Sequence, residues 1–105
     1  MDSEIIITAA NYEAETDLLW EAACRILQKA PQSLLKPKTK WSDGRLLDGR
    51  PAMLGPDRRT IFLNLDCAVY RGHLIHEMGH CIQWQVEFDE HEFVARMVEE
   101  AMRSV

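Results

Sequence analysis

His76, Glu77 and His80 form the pattern His-Glu-x-x-His in the run His76-Glu77-Met78-Gly79-His80. On a helix, positions i and i+4 share one face, so the two imidazoles converge on one point. Two neutral imidazoles suit zinc, which takes three protein ligands and keeps one position open in catalytic sites. Glu77, beside them, is placed to accept a proton from a metal-bound water. Four His and ten Glu in 105 residues would produce this pattern by chance in roughly 1% of such chains. His73 shares the face, but it lies two turns from His80, roughly 10 Å along the axis. It therefore reads as a rim residue and not as a ligand.

A third ligand has to come from another element. Phe93, Val94, Met97, Val98 and Ala101 recur at helical spacing and predict an apolar stripe on a last helix. Glu90 projects near the centre of that stripe, where an ionised carboxylate is costly without a partner. Glu92 and Glu99 project to the opposite side, and Glu100 lies at the margin. Glu90 is the expected third ligand. Glu87, His91 and Glu100 are the alternatives.

The elements around the motif are legible in outline. Glu4–Thr8 reads as a short strand or an irregular lead-in. Asn11 offers an N-cap, and Glu13 and Glu15 suit a first helical turn. Residues 12–29 then follow an amphipathic helical pattern, which Pro31 stops. Asp43-Gly44, Asp48-Gly49 and Gly55-Pro56-Asp57 are turn signals. Pro51–Leu54 and Thr60–Leu65 read as strands, the latter with Ile61, Leu63 and Leu65 on one face. Together they suggest an antiparallel meander of about three strands. Asp66 is placed to cap the motif helix, expected over Val69–Gln85. A break at 86–88 follows, and Asp89 with Glu92 forms a capping box for the last helix. The expected fold is α+β in one domain: helix, small sheet, active-site helix, C-terminal glutamate helix.

At this point the sequence resembles the zincin metallopeptidases of the gluzincin type. The small size and element order are similar to the minimal single-domain members, the minigluzincins. Glu90-His91-Glu92-Phe93-Val94-Ala95 is also similar to the Glu-Ala-Asn-x-Phe-Ala signature of ImmA/IrrE-type peptidases, with Glu90 and Ala95 matching outright. The resemblance implies His76, His80 and Glu90 as Zn2+ ligands, Glu77 as general base, and hydrolysis of peptide bonds in a peptide or protein substrate. An exposed strand beside the active helix would hold an extended substrate by backbone pairing. One departure stands out. Only nine residues separate His80 from Glu90, fewer than these families usually have. Val86 occupies the place of the third histidine of metzincins. The rival expectation is an inactive or latent zincin-like domain acting as a protein-binding module. For the oxyanion, Tyr70, His73, His91 and the arginines are candidates.

Composition narrows the classes. Twelve Lys and Arg oppose seventeen Asp and Glu, for a net charge of -5, which disfavours a nucleic-acid partner. Within that balance, Lys36–Arg59 carries seven basic and three acidic residues and is +4, leaving -9 elsewhere. Such lysines and arginines protect strand edges or form a basic rim that attracts acidic substrates. No apolar run approaches a membrane span. The Ile5–Ile7 run follows Asp2 and Glu4 and lacks the basic start of a secretion signal. Three cysteines, Cys24, Cys67 and Cys81, form no Cys-x-x-Cys pair. A cytoplasmic setting with reduced, buried thiols is expected.

Overall fold

The computed structural model describes residues 4–87, 92, 93 and 95–97. The fold is α+β. Strand β1 (Ile6–Ile7) leads into helix α1 (Tyr12–Leu27), followed by β2 (Lys38–Ser42), β3 (Ala52–Leu54), β4 (Thr60–Asn64), β5 (Val69–Tyr70) and helix α2 (Arg71–Gln83). Residues 92, 93 and 95–97 are helical.

Helix α1 buries Leu19, Trp20, Ala22, Ala23, Cys24 and Ile26 on one face, as its apolar spacing requires. Asn11 precedes the helix, but its side chain turns back: Oδ1 accepts from the Thr8 N–H at 2.7 Å and Nδ2 donates to the Ile6 carbonyl at 2.9 Å. The helix ends before Pro31. Gln28 adopts a left-handed conformation, φ 55°, and the Lys29 N–H closes onto the Cys24 carbonyl at 2.9 Å.

The expected antiparallel meander is corrected to a mixed sheet of order β2-β4-β3. β2 runs parallel to the central β4, with Lys38 opposite Thr60 and Ser42 opposite Asn64. β3 runs antiparallel to β4, with Ala52 opposite Leu63 and Leu54 opposite Ile61. The Asp-Gly turns do not close a hairpin. They carry residues 43–51 across the end of β4, where two polar residues fasten them. Asp66 Oδ2 accepts from the Gly44 N–H at 2.8 Å, and Asn64 Nδ2 donates to the Arg50 carbonyl at 2.9 Å. A Cβ on Gly44 would come 2.9 Å from both side chains, so any larger residue would have to displace the two groups that fasten the loop. Asp66 is thus a loop clamp, not the cap of α2. β4 ends at Asn64, leaving Leu65 exposed while Ile61 and Leu63 are fully buried.

The motif helix starts at Arg71 instead of Val69. Val69 and Tyr70 pair antiparallel with Ile7 and Ile6 in a second, two-stranded sheet, and the Arg71 N–H bonds the Ile5 carbonyl at 2.7 Å. Helix α2 buries Leu74, Ile75, Met78, Cys81 and Ile82. Their contacts with α1 residues and with Ile61 and Leu63 form the core. The Arg71 guanidinium reaches Glu15 of α1 through two bonds of 2.6 Å. This buried ion pair fixes the entry of α2.

Cys24 and Cys81 are buried, and Cys67 is exposed, a correction to the expectation that all three thiols are interior. Cys67 lies in the turn between β4 and β5. Among the described residues, no helix is long and apolar enough to cross a membrane.

Candidate active site

Helix α2 divides its residues by periodicity. The apolar side faces the core, and the other side carries His76, Glu77, His80 and Gln83. His76 is exposed, and Glu77 and His80 are half-buried. These residues and β3 line a cleft of about 470 Å³, completed by Arg50, Met53, Leu54 and Trp84. An adjoining lobe is lined by Arg50, Pro51, Ala52, His73, His76 and Glu77.

The two imidazoles converge as their spacing predicts. His76 Nε2 and His80 Nε2 lie 3.0 Å apart, with the rings nearly perpendicular at 88°. Gln83 Oε1 lies 3.0 Å from His80 Nδ1. A carbonyl oxygen only accepts, so it places the proton on Nδ1 and turns the Nε2 lone pair toward His76. Metal-ligating histidines are held in this way through their second nitrogen. Two zinc–nitrogen bonds at a tetrahedral angle span roughly 3.4 Å, close to the observed separation. The pair therefore fits two positions of a zinc site.

The third position is not filled among the described residues, which hold no group of three or more His, Cys, Asp or Glu side chains arranged for a metal. Glu87 is exposed and does not join the pair. Glu90, His91 and Glu100 lie outside the described residues, as does the proposed cap Asp89. The stripe beyond them is partly visible. Phe93 and Met97 are buried, and Glu92 is exposed, as the spacing predicts. A Cβ on Gly79 would come 3.3 Å from the Phe93 ring. The glycine inside the motif thus lets the last helical segment pack closely on α2.

Glu77 is held by the sheet. Its Oε2 accepts from the Leu54 N–H at 3.0 Å. The Gly55 N–H to Thr60 and Asn64 N–H to Pro51 bonds set the alternation of the β3–β4 ladder. Met53 therefore pairs inward, while the amides and carbonyls of Ala52 and Leu54 point away from β4, toward α2. β3 is thus an edge strand whose outward groups face the cleft.

His73 sits at the rim, as expected. Its Nδ1 accepts from the Tyr70 N–H at 3.1 Å, so the neutral ring carries its proton on Nε2. At the opposite end, the Arg58 guanidinium lies 3.4 Å over the Trp84 ring. Arg58 is held there by a tight turn. Asp57 accepts from the Arg59 and Thr60 amides and from Thr60 Oγ1 at 3.0, 2.9 and 2.6 Å. The Thr60 hydroxyl and these amides pull the Asp57 carboxyl down to about 2.

Sequence reasoning missed Gln83, Trp84 and the Leu54 amide, and it held Arg50 only as one of the arginines. Gln83 was accessible to it, since i+3 from His80 is the same helical face. The other three depend on how β3 and its flanking loops dock. No protein-family model, curated protein or solved structure matches the chain.

Proposed function

We propose that the protein is a small zinc-dependent metallopeptidase whose site is built on His76, Glu77 and His80. One observation carries the reading. The two Nε2 atoms meet at 3.0 Å, with His80 oriented by Gln83, in a cleft that also holds a carboxylate. A buried core histidine pair would have no need of that arrangement at an open surface. The resemblance to gluzincins points the same way. His76 and His80 would hold the metal, with Glu90 proposed as the third ligand. Bound zinc supplies Lewis acidity and lowers the pKa of water at the site.

The remaining work falls to the chain. Glu77 takes a proton from the attacking water and returns it to the leaving amine. The Leu54 bond aims the carboxylate at the edge of β3, where the outward groups of Ala52 and the Leu54 carbonyl can pair with an extended peptide. The His73 Nε2–H and the Arg50 guanidinium border the same space and are the donors available to a developing oxyanion.

Two variants test this. His80→Ala is expected to abolish stoichiometric zinc uptake, measured by elemental analysis. Glu77→Gln keeps the shape and the Leu54 bond, so zinc remains while hydrolysis of a mixed peptide library falls by about 10²–10⁴-fold. Zinc uptake unaltered in His80→Ala would remove the helical site. Bound zinc with no turnover in the unmodified chain would favour the protein-binding module.

A further inference from the structure

The geometry points to Arg50 as the residue that selects an acidic side chain, Asp or Glu, in the peptide bound along β3. This inference rests on the reading of the cleft as a peptide site and deepens it to a substrate class. Arg50 lines both lobes of the cleft, and it is the only Lys or Arg among their lining residues. Among the described residues, no carboxylate is paired with its guanidinium. Of the other cations near the sheet, Lys36 is bonded to Asp17, Arg58 lies on Trp84, and Lys38 and Lys40 stand on the far edge strand β2; Arg45 and Arg59 are not among the residues that line the cleft.

The backbone at Arg50 is fixed at both its N–H and its carbonyl. Its N–H donates to the Leu47 carbonyl at 3.0 Å, and Leu47 is buried. Its carbonyl accepts from Asn64 Nδ2 at 2.9 Å, and Asn64 Oδ1 in turn accepts from the Asp66 N–H at 2.7 Å. Asn64 is a buried polar residue at the end of a core strand, and this network accounts for it. The consequence is a guanidinium launched from a rigid point directly before the substrate-pairing strand. The Arg50 side chain is exposed, and its planar fork matches a carboxylate through two parallel bonds.

The test uses the full zinc-loaded chain and a library of peptides in which each position is varied among Asp, Glu, Gln, Lys and Leu. Cleavage sites are read by mass spectrometry. Asp or Glu is expected to be enriched at one fixed distance from the cut. In Arg50→Glu the preference for an acidic over a neutral residue there should fall by about 10–100-fold, with Lys gaining. Lys40→Glu makes the same charge change on the far edge and should leave the preference in place. A second arm is independent of turnover: Glu77→Gln protein, with and without Arg50→Glu, is titrated with a labelled acidic peptide and its glutamine counterpart. Cleavage without acidic preference, or equal loss in Lys40→Glu and Arg50→Glu, overturns the role of Arg50 and leaves the peptidase reading standing. Selective binding of the acidic peptide that Arg50→Glu removes, without cleavage, upholds Arg50 and overturns the hydrolytic reading. Absence of selectivity in both arms overturns the inference.

Discussion

The two sides of α2 use similar residue types to opposite ends. On the core side, Arg71 and Glu15 meet through two short bonds, with the guanidinium buried and the carboxylate largely covered. Around them Leu74, Ile75, Met78 and Ile82 are fully covered. On the cleft side, among the described residues, Glu77 meets one neutral backbone donor, and His76 and His80 meet each other. The first glutamate has its charge neutralised by a fixed cation, so it can only hold the fold together. The second keeps acceptor capacity directed at a cleft, as its proposed role as general base requires. The difference teaches that partner and exposure, rather than residue type, separate a structural carboxylate from a chemical one.

Three measurements break or sharpen that contrast. The largest effect is expected for Glu15→Gln. It leaves the Arg71 guanidinium buried without a counter-charge, at a cost of about 3–5 kcal/mol in unfolding free energy. Urea unfolding reads it directly. A loss below about 1 kcal/mol would mean that the pair is no more structural than a surface bridge. Zinc content per folded molecule should be unchanged.

Gln83→Ala acts on the other side and should do the reverse. It removes the acceptor that orients His80, so zinc affinity is expected to weaken by about 10–100-fold, measured by competition with a chromogenic chelator. Metal-free stability should stay within about 0.5 kcal/mol, as for an ordinary surface change. Unchanged zinc affinity would make Gln83 a bystander and leave the convergence of the two imidazoles to helix geometry alone.

The smallest effect concerns the turn that carries Arg58 to Trp84 at the cleft rim. The Asp57 carboxyl is lowered to about 2, chiefly by the Thr60 hydroxyl and then by the amides of Arg59 and Thr60. Its contribution to stability is therefore present above the unfolded carboxyl pKa, about 3.9. It is lost as pH falls from there through about 2. The unfolding midpoint of Asp57→Asn should lie below that of the unmodified chain at pH 6, and the gap should close toward pH 2. A gap that persists at the lowest pH would mean that the asparagine disturbs the turn for a reason other than charge.

Much of the fold was legible because its signals are local. The amphipathic spacing of α1, the β-rich run of β4 and the helical face of the His-Glu-x-x-His motif each follow from a period within one element. The sequence misreads cluster where two elements compete for the same residues. Val69 and Tyr70 look helical, but their backbone groups pair with β1. Asp66 looks like a cap, but it fastens Gly44. The Asp-Gly turns look like hairpins, but Asn64 and Asp66 draw them across the end of β4 and make β2 parallel. Leu65 fits the alternation of β4, and its N–H still bonds the Ser42 carbonyl, but the strand ends at Asn64 and its side chain is exposed.

The candidate site divides in the same way. The residues on one helix, His76, Glu77 and His80, were readable from spacing, because an α-helix fixes the relative direction of side chains four positions apart. By itself the sequence determined the α+β class, the convergence of the two imidazoles and the carboxylate beside them. Only the tertiary structure decided that Glu77 would be held by Leu54, that β3 would turn its outward groups to the cleft, and that Arg50 would stand at its entrance. Those relations join residues 23 or more positions apart along the chain. No local period encodes them, because they depend on how the sheet's edge packs against α2 once the core has closed.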